Sequence, residues 1–100
     1  CVVATDDGSL GEKGYVADSA VKHMGEFRPD VIFACGPEIM MKSLKRFSSL
    51  PIYVSLEQRM GCGMGACLVC SRKIKSKDGE HYLRVCADGP VFAFDEVYYD

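Results

Sequence analysis

The chain has 100 residues, of which 48% are hydrophobic and 26% are charged, a composition typical of a folded chain with one modest core. Its 12 basic and 14 acidic residues give a formal net charge of −2 without a long run of one sign, so the sequence offers no electrostatic footprint for nucleic acid or for an anionic membrane. No apolar stretch approaches the roughly 20 residues that a membrane span requires. We therefore expect neither nucleic acid nor a membrane as a partner.

The sequence begins as a strand already in progress. No initiator methionine stands at position 1, and residues 2–5 read Val-Val-Ala-Thr. We therefore expect a piece of a longer chain. The spacing of the cysteines does not suggest disulfide bonds, and the sequence shows no targeting segment. We therefore expect the protein in the cytoplasm.

Residues 1–56 alternate between strand signals and helix signals. A short strand over residues 2–5 precedes a turn region, and apolar residues at helical spacing then predict a helix over residues 14–25. Residues 31–34 form a continuous apolar run, which is typical of a strand buried on both faces.

A second helix and a third strand complete this half of the chain. Pro37 suits the first helical position and Glu38 suits the positive helix N-terminus, while Ile52, Val54 and Leu56 alternate as a strand does. Strands that alternate with helices predict an α/β fold with a parallel sheet.

From Glu57 onward the chain becomes rich in glycine and cysteine and then β-patterned. The two β-patterned stretches lie around Ile74 and over residues 82–85, with Asp78-Gly79 between them. This dipeptide predicts a hairpin with a type I′ turn, because both residues tolerate a positive φ. We also expect the apolar and aromatic residues over 91–99 to pack against the core.

Four of the six cysteines follow the pattern C-x4-C-x2-C, then fifteen residues, then a last cysteine. This is the spacing of a plant-type [2Fe–2S] site. Three thiolates on one short loop must wrap around two irons, and the glycines between them permit so tight a loop. The predicted ligands are Cys62, Cys67, Cys70 and Cys86.

A zinc site and a disulfide scaffold also remain open for these cysteines. A zinc site would use Cys67 and Cys70 as one knuckle, although a second knuckle of that spacing is missing from the sequence. A disulfide scaffold fits an α/β pattern poorly. Cys1 and Cys35 lie in or beside apolar runs, where we expect buried free thiols.

Two turns at predicted strand ends are candidate nucleotide contacts, since ligands of open parallel sheets bind beyond the carboxyl ends of the strands. Asp6 and Asp7 follow the first strand, where a carboxylate accepts hydrogen bonds from the ribose hydroxyls of NAD. Cys35, Gly36 and Pro37 follow the second strand and precede a helix. No GxGxxG turn is present, so the pyrophosphate-binding part of a dinucleotide site is missing.

Four motifs in order along the chain closely resemble the electron transfer subunits of NAD-dependent dihydroorotate dehydrogenase. They are Ala-Thr-Asp-Asp-Gly-Ser at residues 4–9, Cys-Gly-Pro at residues 35–37, Glu-Gln-Arg-Met-Gly-Cys-Gly-Met-Gly-Ala-Cys-Leu-Val-Cys at residues 57–70 and Val-Cys-Ala-Asp-Gly-Pro-Val-Phe at residues 85–92. The resemblance implies a ferredoxin-reductase-like fold. Residues 1–56 would be the C-terminal part of an NAD-binding domain with a partial parallel nucleotide-binding sheet, and residues 57–100 a small β-rich [2Fe–2S] subdomain.

The same resemblance implies a function and a partner. Electrons from dihydroorotate would leave the FMN of a separate catalytic subunit and pass through the [2Fe–2S] cluster to FAD and NAD⁺, in pyrimidine biosynthesis. The four predicted ligands would hold the iron, Cys35-Gly36-Pro37 would lie near the nicotinamide and the flavin ring, and Asp6 and Asp7 would face the NAD ribose. Without the FAD-binding barrel and the glycine-rich turn, we expect this piece to bind neither FAD nor NAD well and to be inactive alone.

Two alternatives to this function remain. The chain also resembles the flavin and iron–sulfur subunits of hydrogenases, sulfide dehydrogenases and ferredoxin:NADP oxidoreductases, although Ala66 and Leu68 beside Cys67 favour the dihydroorotate family. A different class of function is a zinc-stabilised binding module without a redox role.

Overall fold

The computed structural model describes residues 1–47 and 49–98. The chain divides into two compact units, Cys1–Asp30 and Val31–Asp100. Helices and strands occur in both units, which confirms the predicted mixed α/β class. Over the described part of the chain, no helix has the length and apolarity to cross a membrane.

The first unit is a two-stranded parallel ribbon followed by one helix. Strand β1 (Ala4–Thr5) pairs with β2 (Glu12–Lys13), and helix α1 (Val16–Phe27) follows. The chain returns tightly at Gly11, whose φ is +69° and where a Cβ atom would collide with the carbonyl oxygen of Val3. Glycine is therefore required at this turn.

The side chain of Glu12 links strand β2 to helix α1 by hydrogen bonds and an ion pair. Its carboxylate accepts a hydrogen bond from Ser19 Oγ at 2.7 Å, lies 2.8 Å from His23 Nε2 and pairs with Lys22 Nζ at 3.5 Å. The hydrogen bond from Ser19 is the largest of the causes that lower the pKa of Glu12 from its ordinary value of 4.5 to about 2. The ionised carboxylate is therefore the form that stabilises the first unit.

The second unit holds the remaining helices and strands. In chain order they are β3 (Ile32–Cys35), α2 (Glu38–Ser43), β4 (Ile52–Ser55), β5 (Ser71–Ser76), β6 (Gly79–Arg84), α3 (Val85–Asp88) and β7 (Val91–Ala93). Helix α2 continues into a 3₁₀ turn over Leu44–Phe47, and a second 3₁₀ turn, Phe94–Glu96, follows β7.

Strand β4 is the centre of a three-stranded sheet, parallel to β3 and antiparallel to β7. Because side chains alternate across a strand, one face of this sheet is apolar and buried. That face and the helix after β3 form the core of the second unit together with residues of the hairpin. The buried apolar residues of this unit are Met41, Leu44, Phe47, Ile52, Val54, Leu56, Cys70, Ile74, Val85, Phe92 and Val97.

Strands β5 and β6 form the predicted antiparallel hairpin, paired from Ser71 opposite Arg84 to Ser76 opposite Gly79. The predicted type I′ turn at Asp78-Gly79 is wrong in position: the two turn residues are 77 and 78, and the positive φ of +119° belongs to Gly79 at the start of β6. Glycine still supplies the positive φ of this turn, one position later than a type I′ turn requires.

Two predictions about the strands are wrong. The strand over residues 31–34 is not buried on both faces, because Phe33 is 75% exposed and stacks on Tyr53 with 5.7 Å between ring centroids. The region predicted to be a turn after the first strand contains strand β2, which pairs with β1. Apolar character alone does not reveal which faces of a strand are covered.

Further differences lie at the ends of elements. Helix α1 begins and ends two residues later than predicted, and Pro37 is the N-cap of α2, not its first helical residue. Val85 begins the helical turn α3 and does not extend β6. The predicted packing of the last apolar and aromatic stretch is confirmed for Phe92 and Val97 but is wrong for Val91, which is 53% exposed, and Tyr99 lies outside the described residues.

The contacts of Glu12 predict a pH-dependent stability of the first unit. A folded-state pKa below the ordinary value means that the carboxylate stabilises fully above pH 4.5 and that this contribution is lost as the pH falls toward about 2. We expect Glu12→Gln to speed amide hydrogen exchange in α1 near neutral pH, and the difference from the parent chain to vanish toward pH 2. Glu26→Gln, at an exposed position of the same helix, is the control. An equal difference at all pH values would contradict this role of Glu12.

Candidate metal centre

Three of the four predicted ligands, Cys62, Cys67 and Cys70, lie on the loop between β4 and β5, which contains no helix or strand. Glycines let this loop close on itself. A Cβ atom at Gly61 would lie 2.7 Å from Cys67 Sγ, and Gly63 has a φ of +71°. The loop therefore requires glycine both for the close approach of its backbone to a sulfur and for its left-handed turn.

Cys62 and Cys67 form the first thiol pair. Cys62 Sγ accepts hydrogen bonds from the backbone N–H groups of Met64 at 3.3 Å and Ala66 at 3.2 Å, and both the N–H and the thiol of Cys67 face it. These bonds, that of Met64 first, lower the pKa of Cys62 from 9.0 to about 6. Cys62 is therefore predominantly a thiolate at neutral pH, and the thiolate is the form that binds metals.

Cys70 and Cys86 form the second thiol pair, with 3.3 Å between their sulfurs. The backbone N–H of Cys86 donates to Cys70 Sγ at 3.5 Å, and this bond is the largest cause that lowers the pKa of Cys70. The neighbouring Cys70 sulfur, in contrast, raises the pKa of Cys86. Cys70 is thus the thiol of this pair that ionises first.

The hairpin brings the second pair together. Cys70 directly precedes β5 and Cys86 follows β6 by two residues, and the backbone N–H of Val85 donates to the carbonyl of Cys70 at 3.2 Å. Cys86 then lies on the helical turn α3. The two strands and the short turn thus carry the chain away from the cysteine loop and back to it.

The two pairs differ in burial. Cys70 is 3% exposed and belongs to the core, whereas Cys62 and Cys67 are exposed. Apolar side chains with exposed fractions between 50% and 77% lie next to these cysteines in sequence. We call this set the apolar collar: Met60, Met64, Leu68 and Val69.

The donor set fits a two-iron cluster. Each iron of a [2Fe–2S] cluster takes two protein ligands, and the chain presents two pairs of thiols.

The candidate nucleotide residues of the first unit lie in the turn after β1. Asp6 and Asp7 are both exposed. Asp7 Oδ1 accepts a hydrogen bond from the backbone N–H of Ser9 at 2.9 Å, and this bond lowers the pKa of Asp7. The carboxylate of Asp7 therefore caps its own turn.

The candidates of the second unit follow β3. Cys35 is exposed, with its Sγ 3.8 Å from Glu57 Oε1, so that the end of β3 and a residue two positions after β4 approach each other at the carboxyl ends of the two strands. Gly36 and Pro37 continue directly into α2. The prediction that Cys1 and Cys35 are buried thiols is wrong, because both are exposed.

Sequence reasoning missed Arg84 and Asp88 at the cysteine site. Arg84 Nη1 donates to the carbonyl oxygen of Gly65 at 2.7 Å, and Arg84 Nε pairs with Asp88 Oδ2 at 3.2 Å. The signal that could have revealed them is an arginine and an aspartate four residues apart on either side of the last cysteine.

Comparison with known proteins points to one family. Residues 57–98 match the family model described as the iron–sulfur cluster binding domain of dihydroorotate dehydrogenase B. The electron transfer subunit of dihydroorotate dehydrogenase B (NAD(+)) from Bacillus caldolyticus is 49% identical over 96 residues, and that from Streptococcus mutans is 46% identical over 101 residues. These alignments cover 95% and 99% of this chain, but only 36% and 38% of the relatives.

A solved structure agrees with these relatives in fold. An NADH-dependent reduced ferredoxin–NADP oxidoreductase, studied for flavin-based electron bifurcation, matches 99% of this chain and 35% of its own chain, with a TM-score of 0.74 and 36% identity. The chain therefore spans a little more than a third of the proteins that it matches. Residues 57–98 thus match the iron–sulfur cluster binding domain of dihydroorotate dehydrogenase B, within a chain that is similar along its length to the electron transfer subunits of that enzyme.

Proposed function

We propose that this chain holds a [2Fe–2S] cluster and serves as the cluster-bearing part of an electron transfer subunit. The observation that carries the proposal is the arrangement of four thiols as two close pairs, one of them with sulfurs 3.3 Å apart. In this proposal Cys62 and Cys67 bind one iron, and Cys70 and Cys86 bind the other. The match of residues 57–98 to an iron–sulfur cluster binding domain supports it.

When bound, a [2Fe–2S] cluster accepts and gives one electron at a time. Backbone N–H groups donate to Cys62 and Cys70 and lower the pKa of both thiols, which favours the thiolate form that binds metals. The buried Cys70 excludes water from one side of the site. The exposed first pair and its apolar collar leave the other side accessible to a partner.

We infer the activity of the whole protein from its relatives. Two electrons removed from dihydroorotate on an FMN-containing catalytic subunit would pass singly through this chain to FAD and then reduce NAD⁺, in pyrimidine biosynthesis. Residues 1–56 would be the C-terminal part of the ferredoxin-reductase-like NAD-binding domain, and residues 57–100 the cluster subdomain. The relatives are named as electron transfer subunits of dihydroorotate dehydrogenase B (NAD(+)), which supports this assignment. Six free cysteines suit a reducing compartment, and we place the protein in the cytoplasm.

The nucleotide contacts are part of the same proposal. Cys35, Gly36 and Pro37 would lie near the nicotinamide and the flavin ring, since β3 and β4 run parallel and their carboxyl ends meet at Cys35 and Glu57. The exposed Asp6 and Asp7 would accept hydrogen bonds from the ribose of NAD.

A second candidate function uses the same cluster with another electron donor. The structural similarity to a ferredoxin–NADP oxidoreductase favours it, at 36% identity. The relatives from dihydroorotate dehydrogenase B are more similar, at 46% to 49% identity. The donor that reduces the chain distinguishes the two functions: an FMN-containing dihydroorotate dehydrogenase for the first, reduced ferredoxin for the second.

Serine substitutions test the ligand assignment. After reconstitution with iron and sulfide, we expect Cys67→Ser and Cys86→Ser to lose most of their iron and their visible absorption, because serine replaces a thiolate ligand. Cys1→Ser and Cys35→Ser, at the two free cysteines outside the pattern, are matched controls that should keep both. Iron analysis and visible spectra provide the measurement. An unchanged spectrum in Cys67→Ser would refute the assignment.

The apolar collar predicts where the catalytic subunit docks. Burying a methionine or leucine side chain stabilises a complex by about 1.5–3 kcal/mol. We therefore expect Met64→Gln with Leu68→Gln to weaken binding of an FMN-containing dihydroorotate dehydrogenase catalytic subunit roughly tenfold or more, measured by titration calorimetry. Leu10→Gln, at a 65% exposed leucine of the first unit, is the control. Equal affinities for the collar variant and the parent chain would place the docking surface elsewhere.

A further inference from the structure

The loop that carries three proposed ligands touches the segment that carries the fourth at Gly65. The carbonyl oxygen of Gly65 accepts a hydrogen bond from Arg84 Nη1 at 2.7 Å, and the backbone N–H of Gly65 faces Cys86 closely enough to lower the pKa of that thiol. Gly65 has a φ of +91°, and a Cβ atom there would lie 2.9 Å from Ala87 Cβ. One peptide unit on each side of Gly65 thus joins the loop to the segment around Cys86.

Arg84 is held in a fixed orientation while it makes this contact. Its Nε and Nη2 atoms lie 3.2 Å and 3.4 Å from the two carboxylate oxygens of Asp88, and its backbone N–H donates to Asp88 Oδ2 at 2.7 Å. One edge of the guanidinium is therefore occupied by Asp88, which leaves Nη1 aimed at Gly65. The planar guanidinium group of an arginine can donate hydrogen bonds to two partners at once in a fixed geometry. The ammonium group of a lysine has no such fixed geometry.

We propose that Arg84 is a positioning residue for the cluster that holds the carbonyl of Gly65, so that the N–H of Gly65 stays directed at the sulfur of Cys86. This inference rests on the proposed function. Hydrogen bonds to ligand sulfurs and nearby positive charge both raise the reduction potential of an iron–sulfur centre. Arg84 supplies the charge directly and the hydrogen bond through Gly65.

The test compares the reconstituted parent chain with Arg84→Gln, Arg84→Lys and Asp88→Asn. We expect Arg84→Gln to shift the reduction potential to a more negative value, to alter the EPR spectrum of the reduced state, and to release iron to a chelator roughly tenfold faster, since a hydrogen bond to a charged group is lost. Arg84→Lys keeps the charge but not the fork, so its potential should lie closer to that of the parent chain while its iron release stays fast.

Arg72→Gln is the matched control. Arg72 lies in the same hairpin and also donates hydrogen bonds, to the Glu38 carboxylate and to the carbonyl of Tyr98. Among the hydrogen bonds of the described residues, it makes none to the cysteine loop. We expect Arg72→Gln to shift the potential much less than Arg84→Gln does, and to leave the EPR spectrum unchanged, because Arg72 makes no hydrogen bond to the cysteine loop. A shift as large as that of Arg84→Gln would show a general effect of losing an arginine and would overturn the inference.

The remaining outcomes are also decisive. An unchanged potential and EPR spectrum in Arg84→Gln would overturn the inference, whatever its rate of iron release. If Arg84→Gln takes up no cluster, Asp88→Asn and Arg84→Lys decide by iron release and the EPR spectrum. Faster release with an altered spectrum supports the role of Arg84, and a parent-like rate with a parent-like spectrum overturns it. A parent chain that takes up no iron would contradict the proposed function, and the inference with it, before any variant is compared.

Discussion

The proposed site depends on the register of the β5–β6 hairpin. The pairing of Ser71 with Arg84 places Cys70 and the turn α3 at the same end of the ladder, where the sulfurs of Cys70 and Cys86 approach to 3.3 Å. A slip by one residue would turn each side chain of a strand to the opposite face. Cys86 would then no longer meet Cys70. The burial of Ile74 in the middle of β5 resists such a slip, because a slipped strand would expose that side chain.

The asymmetry between the two thiol pairs follows from this arrangement. Cys70 lies in the core because it precedes the hairpin strand that packs inward through Ile74, whereas Cys62 and Cys67 lie on a loop held by glycines and by backbone hydrogen bonds. One pair is thus fixed by hydrophobic packing and the other by local backbone geometry. A site that carries electrons benefits from a buried pair and an exposed pair of ligands. The buried pair limits access of solvent, and the exposed pair shortens the distance to a partner.

The sequence predicts regular features well and tertiary contacts poorly. The hairpin followed from Asp78-Gly79 and the flanking β pattern, and the cysteine spacing already indicated the set of candidate ligands. The exposure of Phe33 could not be predicted, because an apolar run does not say which neighbouring elements cover a strand. Neither could the contact of Arg84 with Gly65, which joins residues nineteen positions apart through a carbonyl that carries no side-chain signal.

The most direct test of the central claim is the metal content of the anaerobically purified or reconstituted chain. Iron, zinc and acid-labile sulfide are measured on one sample, together with the visible spectrum and the EPR spectrum after dithionite reduction. We expect about two irons and about two sulfides per chain, with an EPR signal that appears on reduction. A colourless chain with about one tightly bound zinc ion would contradict the two-iron site.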